Sequence, residues 1–183
     1  MGKIELIFGG MFSGKTEELI RRIRRGEIAG QKVALFKSAT DIRHGTQIKT
    51  HDNRAIATTR VIERPEDILR LIEPDVLIIG IDETQFFDET LLPVLDQLSA
   101  RGLRVICAGL DMWATGEPIE IMGKIACISD EIVKLKAVCT TCGEDAYISS
   151  RVGGEQKQID LGGSEKYTAL CRKCRKKRTD SLS

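Results

Sequence analysis

The segment Gly9-Gly10-Met11-Phe12-Ser13-Gly14-Lys15-Thr16 limits the possible folds of this chain more than any other part of it. It fits the pattern G-x-x-x-x-G-K-[ST] and lies between a short apolar run, Ile4 to Phe8, and an amphipathic stretch, Lys15 to Ala29. The expected structure is a strand, a turn that cradles phosphate, and a helix starting at the anion. Glycines let successive backbone N–H groups point inward, and the helix N-terminus adds partial positive charge. Gly9, Gly10, Met11, Phe12, Ser13, Gly14, Lys15 and Thr16 are therefore candidate nucleotide-binding residues. Lys15 would reach the β and γ phosphates, and the Thr16 hydroxyl would ligate Mg2+.

The same alternation continues along the chain. Lys32 to Lys37, Val76 to Ile81 and Leu103 to Ala108 read as strands, the last two apolar throughout, as strands covered on both faces should be. Asp88 to Arg101 reads as a helix with Leu91, Leu92, Leu95 and Leu98 on one face and Gly102 as its stop. A helix begins at Pro65 and ends at Pro74, with Ile68, Leu69 and Ile72 at helical spacing. Ser38 to Thr59 is polar and aperiodic and reads as a long loop, followed by a strand over Thr58 to Ile62. This rhythm predicts an α/β fold, a parallel P-loop sheet flanked by helices with right-handed crossovers. A P-loop also needs a carboxylate at the end of a neighbouring buried strand, and Val76 to Ile81 runs into Asp82-Glu83. Side chains alternate along a strand, so Asp82 can face Mg2+ while Glu83 serves as base for an acceptor hydroxyl or a hydrolytic water.

The composition sets further bounds. With 183 residues, 42% hydrophobic and 30% charged, the chain can bury one α/β core and a small appendage, and disorder is excluded as its default state. A net charge of +1 gives no reason to expect nucleic acid as the main partner. Arg21, Arg22, Arg24 and Arg25 read as a solvated face, and Arg172 to Arg178 as a solubilising basic tail. No stretch approaches the ~18 apolar residues of a membrane span, and the first apolar run is too short for a secretion signal, so a cytoplasmic protein is expected. That compartment keeps thiols reduced, so the six cysteines do not read as a disulfide framework. Cys139-x2-Cys142 and Cys171-x2-Cys174 instead supply four thiolates for a closed, structural Zn2+ site, while Cys107 and Cys127 read as buried small residues. Between the pairs, Tyr147 to Val152, Gly153-Gly154 and Gln156 to Leu161 read as a β-hairpin. A boundary near 134 divides a nucleotide-binding unit, 1–134, from a zinc-bearing unit, 135–183.

Together, the Gly-x-Met-Phe-Ser-Gly-Lys-Thr loop, the motif Asp82-Glu83-x-Gln85-Phe86-Phe87 and the cysteine hairpin ending in Gly162-Gly163-x-x-Lys166-Tyr167 resemble the type II thymidine kinases over essentially the whole chain. The resemblance implies a RecA-like P-loop core and transfer of the ATP γ-phosphate to the 5′-hydroxyl of thymidine or deoxyuridine. It also implies a homotetramer and feedback inhibition by dTTP. Glu83 matches the family's base. Asp41 and Arg43 match an Asp-x-Arg element near the phosphates, where Arg43 would stabilise transition-state charge. Thr84 and Gln85 join the nucleotide-side set. A lasso loop of about Asp160 to Tyr167 would close over the nucleoside and read the base through backbone groups. Met11, Phe86, Leu110, Leu161, Gly162 and Tyr167 would line the pocket.

One segment departs from the family pattern. Gly-Leu-Asp-x-x-Phe-Arg-Gly-Glu-Pro-Phe is replaced by Gly109-Leu110-Asp111-Met112-Trp113-Ala114-Thr115-Gly116-Glu117-Pro118-Ile119, which suggests an aromatic wall reshaped at Ala114 and Ile119. Two other readings stay open at this point. One is a kinase for another nucleoside, and the other is a P-loop ATPase or switch that uses a zinc ribbon to bind nucleic acid or protein.

Overall fold

Strand residues that are apolar at consecutive positions can be covered on both sides, and most of the central sheet is in that state. The computed structural model describes residues 2–40, 59–152 and 166–180. The chain runs through β1 (Lys3–Gly9), α1 (Lys15–Ile28), β2 (Lys32–Ser38), β3 (Thr59–Ile62), α2 (Glu66–Leu71), β4 (Val76–Asp82) and a 3-10 turn (Thr84–Phe86). It continues through α3 (Leu91–Ala100), β5 (Arg104–Gly109), α4 (Glu120–Ile128) and β6 (Glu131–Leu135). Among the described residues these six strands form one sheet, all parallel, in the order β3-β2-β4-β5-β1-β6. This is the expected P-loop α/β architecture. Its strand order leaves β5 between the strand that feeds the phosphate loop and the strand that ends in Asp82.

Alternation along each strand sends its side chains to two separate cores. Ile7, Leu35, Ile78, Ile106 and Ala108 meet Leu19, Ile20 and Ile23 of α1. Ile4, Leu6, Phe36, Ile79, Ile81, Val105 and Cys107 meet α2, α3 and α4 through Ile68, Leu91, Leu95, Leu98, Met122 and Ile125. The α1 layer lies close: a Cβ at Gly26 would sit 2.2 Å from Ile78 Cδ1, so a side chain there would require Ile78 to shift. Leu77, although apolar, departs from the expected covering of β4 on both faces and remains half exposed.

Local chemistry explains where the observed helices differ from expectation. α3 begins at Leu91 rather than Asp88 because the Asp88 carboxylate accepts the Thr90 N–H at 3.0 Å and folds residues 88–90 into a turn. α2 follows Pro65 and stops at Leu71, with Ile72 already extended ahead of Pro74. Among the helices and strands of the central sheet layer, α4 and the edge strand β6 had no counterpart in the expectation. Position 134 lies inside β6, whose pairing with β1 extends to Gly9↔Leu135.

Beyond the sheet lie two small antiparallel pairs, β7 (Ala137–Val138) with β8 (Asp145–Ala146), and β9 (Ile148–Arg151) with β10 (Tyr167–Leu170). A final helix, α5 (Arg172–Asp180), occupies the stretch read as a basic tail. The described partner of β9 is β10; the expected glycine turn and second hairpin arm, Gly153-Gly154 and Gln156 to Leu161, lie outside the described residues. No helix among the described residues is long and apolar enough to cross a membrane.

On α1, Arg21 and Arg25 are exposed as a solvated face requires, but Arg22 is not. Arg22 is only 6% exposed, because β1 places Glu5 in the otherwise apolar layer beneath α1 and the two bond at 2.5 Å. Arg22 also pairs with Glu18 and Glu131, and Glu5 takes further bonds from Arg104 and Lys3. Burial alone would raise the Glu5 pKa, but hydrogen bonds from Arg104, Lys3 and Arg22 outweigh it and hold the group at about 2. Replacing Glu5 by alanine leaves a buried guanidinium short of a partner. The expected loss is about 3–5 kcal/mol in urea denaturation. Since the folded pKa is depressed, the Glu5 contribution is full above about 4.5 and disappears as pH falls toward about 2. Glu5→Ala should therefore lose less of its remaining stability across that window than the unaltered protein.

Candidate active site

A parallel sheet gathers the ends of β1, β4 and β5 at one edge, and the candidate residues collect there. Gly14 caps α1 in the left-handed region at φ 82°, which a glycine adopts without strain. Phe12 is also left-handed, at φ 65°, and is half exposed. Within the loop, the Lys15 ammonium and the Ser13 hydroxyl each donate to the Gly10 carbonyl at 2.8 Å. The Thr16 hydroxyl donates to Asp82 Oδ2 at 3.1 Å, which ties the first turn of α1 to the end of β4. These oxygens form a hard donor set suited to Mg2+.

The charges at this edge act on one another. Desolvation lowers the pKa of the half-buried Lys15, and the nearby Glu83, Asp82, Asp111 and Glu17 act in the opposite direction. Asp82 is buried, and its pKa is pushed up to about 7, first by desolvation and then by the Glu83 charge. The Glu83 N–H, the Thr16 hydroxyl and Lys15 oppose that rise. A cation or an added positive charge at this point would favour the ionised carboxylate.

Glu83 stands on backbone that few residues adopt. Its φ of 52° is left-handed for a non-glycine residue, at a cost of roughly 1–3 kcal/mol. The surroundings hold it there. Its N–H donates to Asp82 Oδ1 at 2.9 Å, the Thr84 hydroxyl closes onto the Ile81 carbonyl at 3.0 Å, and the 3-10 turn begins with Phe86 N–H to Glu83 O at 3.1 Å. Gln85 is buried and bridges two elements: its amide nitrogen donates to Glu83 Oε2, and its oxygen accepts the Leu110 N–H at 3.0 Å. The Glu83 carboxylate is thus positioned by a side chain anchored on β5.

The remaining candidates are dispersed. Leu110 is half-buried at the end of β5, whereas Phe86 borders a separate groove with Arg64, Leu69, Arg70 and Phe87. Tyr167 is buried in β10, opposite Arg151. Asp41, Arg43, Leu161 and Gly162 lie outside the described residues. Met11 N–H donates to Ser149 Oγ at 2.8 Å, so β9 touches the phosphate loop.

Cys139, Cys142, Cys171 and Cys174 converge, with all four sulfurs within 4.8 Å of one another. The Cys142 and Cys171 sulfurs are 3.7 Å apart, close to the roughly 3.8 Å edge of a tetrahedron with ~2.3 Å zinc–sulfur bonds. Cys107 is buried as expected, but Cys127 is exposed: it sits near the end of α4, where the apolar stripe of Ile121, Met122 and Ile125 faces inward and position 127 faces out.

Sequence reasoning did not assign roles to Ser149, Asp111, Lys134 or Arg175. Asp111 alone carried a usable signal, an acid just past a buried strand as in Asp82. The other three owe their places to long-range pairing.

A sequence model of a family described as Thymidine kinase matches residues 2–175. The chain belongs to the thymidine kinase family. It is 48% identical over 178 residues to a thymidine kinase of Porphyromonas gingivalis, covering 96% of this chain and 86% of the relative. It is 45% identical over 174 residues to one of Bacteroides thetaiotaomicron, covering 94% and 86%. It is also 45% identical over 175 residues to one of a Rhodothermus species, covering 95% and 81%.

In this thymidine kinase family member, the Gln85 bridge makes a measurable demand on stability. Gln85→Leu removes the acceptor of the Leu110 N–H and the donor to Glu83 together. A loss of about 1–3 kcal/mol is expected from the denaturant midpoint, with ATP affinity changed less than turnover.

Proposed function

We propose that this chain transfers the γ-phosphoryl group of ATP to the 5′-hydroxyl of thymidine, and of deoxyuridine, to give the 5′-monophosphate. One observation carries the reading: Lys15, Thr16 and Asp82 of a phosphate loop stand beside a Glu83 carboxylate held by Gln85, in a chain of the thymidine kinase family. In the reaction, backbone N–H groups of residues 13–16 hold the phosphates, and Lys15 exchanges the Gly10 carbonyl for phosphate oxygen. Glu83 accepts the 5′-hydroxyl proton as the new O–P bond forms and the bond to the β-phosphate oxygen breaks, leaving ADP. When bound beside Thr16 and Asp82, Mg2+ supplies neutralisation of charge on the transferring group. Thr84 and Gln85 support the nucleotide side of the site, and Asp41 and Arg43 are assigned to the phosphates.

The four-cysteine cluster supports a structural Zn2+, since four thiolates leave no open position for substrate. In this reading, residues 135–183 act as a zinc-bearing lasso unit on the nucleotide-binding unit 1–134. The loop from about Asp160 to Tyr167 covers the nucleoside, and Met11, Phe86, Leu110, Leu161, Gly162 and Tyr167 belong to the pocket. A cytoplasmic homotetramer inhibited by dTTP completes the proposal.

A panel of nucleosides incubated with ATP and Mg2+ tests it. Thymidine and deoxyuridine should be phosphorylated. Turnover of a different nucleoside alone would overturn the substrate assignment, and hydrolysis of ATP stimulated only by DNA or RNA would overturn the kinase reading. Glu83→Gln should leave ATP binding nearly intact and lower turnover by roughly 10² or more. Near-normal turnover would remove Glu83 from the role of base. Lys15→Met should weaken both ATP binding and turnover.

A further inference from the structure

β5 pairs with β1 through Phe8↔Gly109 and with β4 through Ile81↔Cys107, so its end lies between the phosphate loop and Asp82. Neighbouring strands are about 4.8 Å apart, and any ligand that spans the two outer elements must pass over the end of β5. Asp111 is the acid placed there. Its backbone is fixed by a narrow turn in which Ile119 N–H donates to the Asp111 carbonyl at 3.0 Å and Trp113 N–H donates to Glu117 O at 2.9 Å.

Asp111 is 7% exposed and both its carboxylate oxygens are buried; Oδ2 is paired with the Lys134 ammonium, whereas Oδ1 has no hydrogen-bond partner among the described residues. Lys134 Nζ lies 2.8 Å from Oδ2 and 5.4 Å from the Phe8 ring centroid, which leaves Oδ1 in need of a donor. The carboxylate is near enough to Lys15 to act on its charge. Enclosed acceptors in native proteins are nearly always filled, and a carboxylate oxygen such as Oδ1 is costly to leave without a donor. Phosphate cannot fill it: two unit negative charges 4 Å apart repel by about 4 kcal/mol at an effective dielectric of 20. The missing partner must be a donor.

We propose that Asp111 is a third carboxylate of the transfer centre, one that accepts a hydrogen bond from an O–H group arriving with the substrates. Two sources carry that chemistry, a water held by the ATP-bound cation and a hydroxyl of the acceptor sugar. The role rests on the kinase reading above and adds a residue to it. Asp82 receives the Thr16 hydroxyl, Glu83 is held by Gln85, and Asp111, with Oδ2 on Lys134, keeps Oδ1 open for the ligand.

Equilibrium binding to the full chain tests this, read by the fluorescence of Trp113, the sole tryptophan, two positions along the same turn. Asp111→Ala should weaken one ligand by about 10- to 100-fold, the range for a hydrogen bond to a charged group. If the donor is a cation-bound water, the loss appears for ATP with Mg2+, vanishes with ATP in EDTA, and spares thymidine. If it is a sugar hydroxyl, the loss appears for thymidine and vanishes for whichever of 3′-deoxythymidine and 5′-deoxythymidine lacks that group. Asp111→Asn, which keeps the shape with a weaker acceptor, should show the same selectivity at smaller amplitude, and it decides the matter if the alanine variant does not fold. Binding within twofold of the native chain for every ligand overturns the proposal, and so does an equal loss for all of them. A native chain that binds neither ATP with Mg2+ nor thymidine would instead sink the kinase reading itself.

Discussion

The ammonium of Lys15 must keep its charge where water is scarce, and much of the site is arranged to allow it. Desolvation alone favours the neutral amine, but the carboxylates of Glu83, Asp82, Asp111 and Glu17 act the other way. Three of those acids follow β4 or β5 and the fourth stands in the first turn of α1, so no local segment could assemble them. A parallel sheet can, because it brings the ends of all its strands to one edge. The surplus of negative charge has a consequence of its own. Added to desolvation, the larger cause, the Glu83 charge raises the Asp82 pKa to about 7, and the acids make the edge a better host for a nucleotide that arrives with a cation than for a bare triphosphate.

Order at this edge is enforced from outside it. The left-handed Glu83 is held by Asp82, by the 3-10 turn and by Gln85, which in turn depends on the Leu110 N–H at the end of β5. The cysteine-bearing part reaches the same edge at two points. Ser149 accepts the Met11 N–H, and the Arg175 guanidinium donates to the Thr115 carbonyl at 2.5 Å. Arg175 fits because position 116 has no side chain: a Cβ there would lie 2.4 Å from Arg175 Nη1. Since Arg175 follows Cys174 directly, whatever fixes the cysteine cluster also fixes the guanidinium over this turn.

What could be read from the sequence follows from how local its cause is. β4 and β5 were legible because burial on both faces leaves an uninterrupted apolar run, and the phosphate loop because its glycines and Lys15 are contiguous. β6 was not, since an edge strand with Ile132 half exposed lacks that signature and is defined by its pairing with β1. The partnership of β9 with β10 was not legible, since it depends on residues far apart in the chain. Arg22 was misread because charge density along a helix does not show that Glu5 waits beneath it. Glu83 was found as an acid at a strand end, but its left-handed backbone and its tether to Gln85 belong to a turn that no periodicity encodes.

The segment 109–119 looked, as sequence, like a pocket wall that had lost aromatic side chains. In the structure Ala114 and Ile119 are buried, at 8% and 3% exposure, and Ile119 packs in the core beside Ile121 and Met122 of α4. Their side chains fill protein interior, so a phenylalanine at either position would have to displace packed neighbours before it could reach a ligand. The residues of this segment nearest the transfer centre are Leu110 and Asp111, and both match the family pattern. Divergence in the turn therefore acts on the site through backbone placement: the Asp111 carbonyl is held by the Ile119 N–H, and the far side of the turn by Arg175. The segment thus joins the core, the cysteine-bearing helix and the acid at the end of β5.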